Sequence, residues 1–184
     1  MTGGKGRNDK GLSFAERFVN FSDMTISRKM QDAFNAQITA ELWSSNLYLE
    51  MAFWFKKEGW SGFARWMFKQ AEEEKGHALD MADYVLRRGG EAKVSAIDAV
   101  PTEWTDVKSV FEDTLKHEQH VTELINALAE AAESERDRAS ENFIAKYIDE
   151  QVEEEESVRD ILDAMTRKEG CSVALLDAEL GQRK

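Results

Sequence analysis

The chain has 184 residues, 42% hydrophobic and 33% charged, which fits one globular domain with a sizeable core. A net charge of −12, from 36 acidic and 24 basic residues, argues against a nucleic-acid partner, which would need a basic footprint. One cysteine, Cys171, excludes an internal disulfide and a Cys-x-x-Cys metal ribbon, and fits a reducing, cytoplasmic setting.

Residues 1–24 read as a flexible N-terminal extension. Met1 to Gly11 is rich in Gly and Lys, and Phe14, Phe18 and Phe21 follow among charges. That pattern lacks the apolar core of a signal peptide. No run approaches the roughly 20 apolar residues that span a bilayer, so no membrane partner is expected. The domain proper is expected over residues 25–184. A first helix starts behind Ser27, a good N-cap, and runs to about Lys57. Glu58 to Ser61 make a tight turn. A second helix runs from Gly62 to Arg88 and ends at Gly89-Gly90. A long link from Gly90 to Thr105 carries the only proline, Pro101. Asp106 caps a third helix that reaches about Glu133. A fourth runs from Arg138 to Lys168 and stops before Gly170. Val173 to Leu180 make a short fifth helix. The chain is therefore expected to be all-α.

The link lengths fix the topology. Short turns make antiparallel hairpins of helices one and two and of helices three and four. A helix of about 28 residues is roughly 42 Å long. The link of about sixteen residues can reach roughly 53 Å when extended, enough to run the length of a bundle. Two hairpins joined by one long crossover make an up-down-down-up four-helix bundle with a short fifth helix.

Each helix has an apolar seam at spacings of three and four, and each seam is interrupted by polar residues near its midpoint. Glu41 lies between Ile38 and Tyr48 on the first helix. Gln70, Glu74 and His77 lie between Met67 and Met81 on the second. Glu118 separates Phe111 from Val121 on the third. Gln151 and Glu154 separate Tyr147 from Val158 on the fourth. Midpoints of equal-length helices meet at one height, so four glutamates and one histidine should converge there. Ionised carboxylates crowded into an apolar space need protons or cations. The donors are hard oxygens plus one imidazole, which suits iron or manganese better than a closed zinc site. Glutamates from four helices can bridge two metals about 3.5–4 Å apart. Glu-x-x-His is a general ligand pair of bundle cores, for which the ferritin-like di-iron proteins are the standard example.

From about Ser27 to Leu180 the chain resembles the bacterial and archaeal non-haem ferritins. AQITAELWSSNLYLEM, EEEKGH, KHEQHVTELI and DEQVEEEE carry the likeness. The resemblance implies a ferritin-like fold and a ferroxidase that oxidises Fe(II) with dioxygen or hydrogen peroxide. It also implies mineral storage inside a cage of 24 subunits. It implies that Glu41, Glu74 and His77 bind a first iron and that Glu74 bridges to a second held by Glu118 and Glu154. Gln151 matches a glutamine that orients oxygen or water, and Tyr48 a tyrosine that donates an electron. Glu73, Glu150 and Glu153 match a third, inner-facing iron site, for which a solvated acidic face is the plainer reading. Lys75 stands where haem-binding relatives carry the ligating methionine, and Gln151-x-x-Glu154 replaces their second Glu-x-x-His. No haem is expected.

Other features read as structural. His120 is expected at the surface and His117 behind the seam. The five tryptophans should fill the core and subunit contacts. Two rival readings stand beside the ferritin one: a small di-metal carboxylate oxidase that stores no iron, and a purely structural bundle with protonated carboxylates.

Overall fold

The computed structural model describes residues 25–167 and 173–182. The expected extension over residues 1–24, the Gly170 stop and Cys171 lie outside them. The described elements are α1 (Arg28–Lys57), α2 (Ser61–Arg87), α3 (Val107–Glu135), α4 (Arg138–Arg167) and α5 (Val173–Leu180). Helix ends fall within about two residues of those read from the sequence, because local chemistry sets them. Ser27 Oγ accepts from Met30 N at 3.2 Å. Asp106 Oδ1 accepts from Ser109 N at 2.8 Å, and the Ser109 hydroxyl returns to the Asp106 backbone as a capping box. Gly89, at φ +72°, lets the chain leave α2. The α3–α4 turn instead puts Arg136 at φ 55°, a left-handed position usually held by glycine.

Side-chain pairs give the helix directions. Between α1 and α3, Lys29 meets Ser134, Ser44 meets His117 and Met51 meets Thr114, so one number rises as the other falls. Between α2 and α4, Gln70 meets Glu154, Asp80 meets Tyr147 and Tyr84 meets Ser140. Both pairs are antiparallel, as are the hairpins, and the result is the up-down-down-up bundle. The crossover is stitched to α1 by a polar ladder with a period of four. Glu91 N donates to Gln31 Oε1 at 2.8 Å, Lys93 N to Asn35 Oδ1 at 2.8 Å and Ser95 N to Thr39 Oγ1 at 3.3 Å. Trp104 then packs its ring on Trp54, near the far end of α1.

One bidentate pair closes the opposite end. Arg88 donates to both carboxylate oxygens of Asp137 at 3.1 and 3.0 Å, while Asp137 accepts from Ser140 N at 3.2 Å at the start of α4. Asp137 is held below the usual carboxylate range: burial pushes it up, but Arg88 and Ser140 outweigh burial.

The short α5 docks on the start of α2. Asp177 Oδ1 accepts from Phe63 N at 2.7 Å, supplying from far along the chain the cap that Trp60 does not provide. The approach is so close that a Cβ on Gly62 would lie 1.7 Å from the Asp177 carbonyl oxygen. G62A is therefore expected to lose the cap and lift Leu176 from its buried position against the core. The cost is about 2–3 kcal/mol in denaturant unfolding. Unchanged stability would show that this contact does not hold α5.

The apolar core comes in two clusters. One gathers Tyr48, Met51, Phe55, Phe63, Trp66, Phe111 and Val158. The other gathers Met30, Phe34, Ile38, Met81, Ile125 and Ile144. Each large side chain so buried contributes about 1.5–3 kcal/mol. Between the clusters lies a level where all four long helices present polar groups.

Candidate metal centre

The gap between the clusters is filled by Glu41, Ser44, Gln70, Glu74, Thr114, Glu118, Gln151 and Glu154, all buried. The helical period puts them there: each lies on the same stripe as the apolar residues above and below it. The matched heights follow from the antiparallel pairings.

Glu41, Glu74 and His77 form the tightest group. One ligand atom from each lies within 4.8 Å of the other two. His77 Nδ1 is 3.4 Å from Glu74 Oε2, while its Nε2 is 3.6 Å from Glu150 Oε2. Glu41 Oε1 accepts from Gln37 Nε2 at 2.8 Å, one turn back on α1. Glu41 Oε2 is buried and accepts no hydrogen bond. Burial, then repulsion from Glu74, pushes the Glu41 carboxyl well above its usual range. Glu74 is pushed well up by burial and by repulsion from Glu118, with Glu154 and Glu73 adding to it. Carboxylates on α3 and α4 thus push Glu74 up, while a side-chain hydrogen bond with Glu41 on α1 opposes the rise.

The other half of the level is more heavily hydrogen-bonded. Tyr48 Oη donates to Glu118 Oε1, and Gln151 Nε2 donates to Glu118 Oε2 at 3.1 Å. Gln70 Nε2 crosses from α2 to donate to Glu154 Oε2 at 2.8 Å. Burial raises the Glu118 carboxyl, and the Tyr48 and Gln151 donors oppose the rise. Burial and the carboxylates of Glu118, Glu74 and Glu154 push the Tyr48 phenol well above its ordinary range, so it remains a protonated donor.

The three residues expected at the third, inner-facing iron site are placed differently from the buried set. Glu73 and Glu153 are exposed, and Glu150 is half-buried with one oxygen facing His77. Among the described residues, Glu41, Glu74 and His77 are the one set of three potential ligands gathered this closely. His120 is exposed, as expected. His117 bonds through Nε2 to Ser44 Oγ at 2.8 Å and sets its ring edge-on to Tyr48. Burial, with a contribution from His120, lowers its pKa to about 4, so it braces Tyr48 as a neutral ring. Sequence reasoning gave no role to Gln37 or Gln70. A signal was present: glutamine precedes glutamate by four in both Gln37–Glu41 and Gln70–Glu74. The second spacing misleads, because Gln70 bonds across to α4 rather than along its own helix.

Chemically, the level is a buried anionic cluster with few donors. Two close carboxyls, Glu41 and Glu74, must share a proton or face a cation. A hard divalent metal satisfies both, and the imidazole of His77 completes a three-ligand corner.

Residues 31–168 match the family described as "Ferritin-like domain". The chain is 51% identical over 158 residues to a bacterial non-heme ferritin of Bacteroides fragilis, covering 86% of this chain and 99% of that one. It is 32% identical over 160 residues to a bacterial non-heme ferritin of Staphylococcus aureus, covering 86% and 96%. Its fold matches an open-pore ferritin from Archaeoglobus fulgidus with a TM-score of 0.84 at 42% identity, over 87% of this chain and 100% of that one.

Proposed function

This chain belongs to the ferritin family, and from that premise we propose that it oxidises Fe(II) at a two-metal centre on the polar level of its bundle. It is an iron-storage protein and a ferroxidase. The observation that carries the site reading is the donor-free oxygen of Glu41, buried beside Glu74 and His77. These three hold the first Fe(II). Glu74, grouped with Glu41 and His77 and repelled by Glu118 and Glu154 across the level, bridges to a second Fe(II) held by Glu118 and Glu154. Tyr48 and Gln151 orient Glu118, and Tyr48, bonded directly to that ligand, is the phenol that gives up an electron.

Two Fe(II) ions supply two electrons. With two protons these reduce one dioxygen to hydrogen peroxide, or one hydrogen peroxide to two waters. The ferric product then leaves past His77 and Glu150, where the centre is least buried, with Glu73, Glu150 and Glu153 as a third iron site. Storage takes place in a cage of 24 subunits in the cytoplasm, each subunit a single ferritin-like domain over residues 25–184 behind an extension over residues 1–24. The net charge of −12 favours cation entry. Lys75, after the bridging glutamate, supports a haem-free protein.

Two measurements test this reading. Light scattering should give a particle near 24 × 21.0 kDa, and aerobic Fe(II) loading should yield a ferric core within it. A monomer or dimer that oxidises iron without retaining it would favour the small di-metal oxidase instead.

A further inference from the structure

Three buried glutamine amides surround the polar level, and each gives its N–H to a different carboxylate. Gln151 serves Glu118, Gln37 serves Glu41 and Gln70 serves Glu154. Gln37 is 4% exposed and Gln70 is fully buried, so neither is there to meet solvent. Both donate at 2.8 Å, well inside the range of a good N–H···O hydrogen bond. The assignment of nitrogen rather than oxygen to each carboxylate follows from repulsion, since an amide oxygen turned toward a carboxylate oxygen would gain no bond.

The bond on Glu41 is one-sided. Its Oε1 is pinned and its Oε2 is left bare, within the group formed with Glu74 and His77. A carboxylate held by one oxygen presents the other as a single ligand atom. The amide carries no charge and no proton that titrates near neutrality, so it fixes orientation without competing for the metal. Gln70 does the same from α2 to a carboxylate on α4. It joins α2 to α4 alongside the Tyr84–Ser140 and Asp80–Tyr147 bonds.

We propose that Gln37 and Gln70 are positioning residues for opposite halves of the centre: Gln37 aims Glu41 at the first metal, and Gln70 aims Glu154 at the second. This rests on the two-metal reading above. Losing a hydrogen bond behind a metal ligand typically weakens binding 10–100-fold. The geometry divides that loss between two positions, which a general loosening of the core would not do.

The test uses the assembled, iron-free protein titrated anaerobically with Co(II), whose visible absorption reports each position as it fills. Methionine matches glutamine in length and offers no donor, so Q37M and Q70M remove the bonds with little change in volume. Q37M should weaken the Glu41–His77 position about tenfold and leave the other within about twofold. Q70M should do the reverse. Thermal midpoints measured on the same samples separate folding from binding. If wild type binds two Co(II) ions and both methionine variants keep both steps, the inference fails while the centre stands. Equal weakening of both steps by either variant also overturns it. If wild type binds no Co(II), the two-metal reading itself fails.

Discussion

Replacing Glu74 with alanine is expected to slow the first turnover of Fe(II) oxidation by about 10²-fold or more, the largest loss of any single site residue. The reason is positional. Glu41 and His77 touch one half of the level and Glu154 the other. Glu74 sits against Glu41 and His77, yet repulsion from Glu118 and Glu154 also raises its carboxyl. Removing a terminal ligand leaves a weakened metal. Removing a bridge separates two metals whose electrons must reach one oxidant together. E41A and E154A should therefore cost less than E74A, and Q151A less again, since Gln151 donates to Glu118 and supplies no ligand carboxylate. Stopped-flow oxidation at two Fe(II) per subunit gives the ranking. E41A slower than E74A would count against a bridge at this position.

The second large effect is on folding rather than chemistry. E41Q is expected to stabilise the iron-free protein by about 1–3 kcal/mol at pH 7.5, although it removes a ligand. The substituted amide keeps the bond that Gln37 makes to Oε1 and offers Glu74 a permanent N–H, where the wild-type Glu41 carboxyl can donate to Glu74 only while it keeps its proton. The pH dependence follows from the raised carboxyls of Glu41 and Glu74. Between the unfolded value, 4.5, and their higher folded values, the native protein retains protons that the unfolded chain has released. Their contribution to stability therefore falls as pH rises through that window. Asp137 and Asp80, lowered in the fold, give the opposite slope at more acid pH. The difference between wild type and E41Q isolates the cluster. It should widen from pH 5.5 to 7.5 in thermal unfolding, and should reverse sign when Co(II) is added, because wild type binds the metal better. A difference independent of pH would mean that Glu41 is ionised at no cost in the iron-free state.

These two expectations share one cause. The bundle has two apolar clusters with an anionic layer between them. Ionising that layer is unfavourable until cations occupy it, so on the two-metal reading the carboxyls that cost stability in the iron-free protein are the ones that hold iron.

The sequence by itself determined the parts of this protein that depend on local spacing. The periods of three and four fix four long helices and their buried stripes. Ser27, Asp106 and the Gly89-Gly90 pair mark helix ends because capping is decided within one turn of chain. The length of the crossover permits the up-down-down-up arrangement that the structure shows. The polar interruptions at Glu41, Glu74, His77, Glu118 and Glu154 stand out because an apolar seam has no other reason to carry them. Only the tertiary structure decided which partner each group meets across helices. Gln70 lies one turn before Glu74 yet bonds Glu154, and the cap of α2 comes from Asp177, more than 110 residues away. Arg88 finds Asp137 and fastens the end of the first hairpin to the turn of the second. The trio expected at the third iron site is also separated there: Glu150 faces His77 while Glu73 and Glu153 stand in solvent. Periodicity tells which face a side chain occupies. Which neighbour it touches depends on helix rotation and offset, set by packing all four seams at once, and no single stretch of chain contains that information.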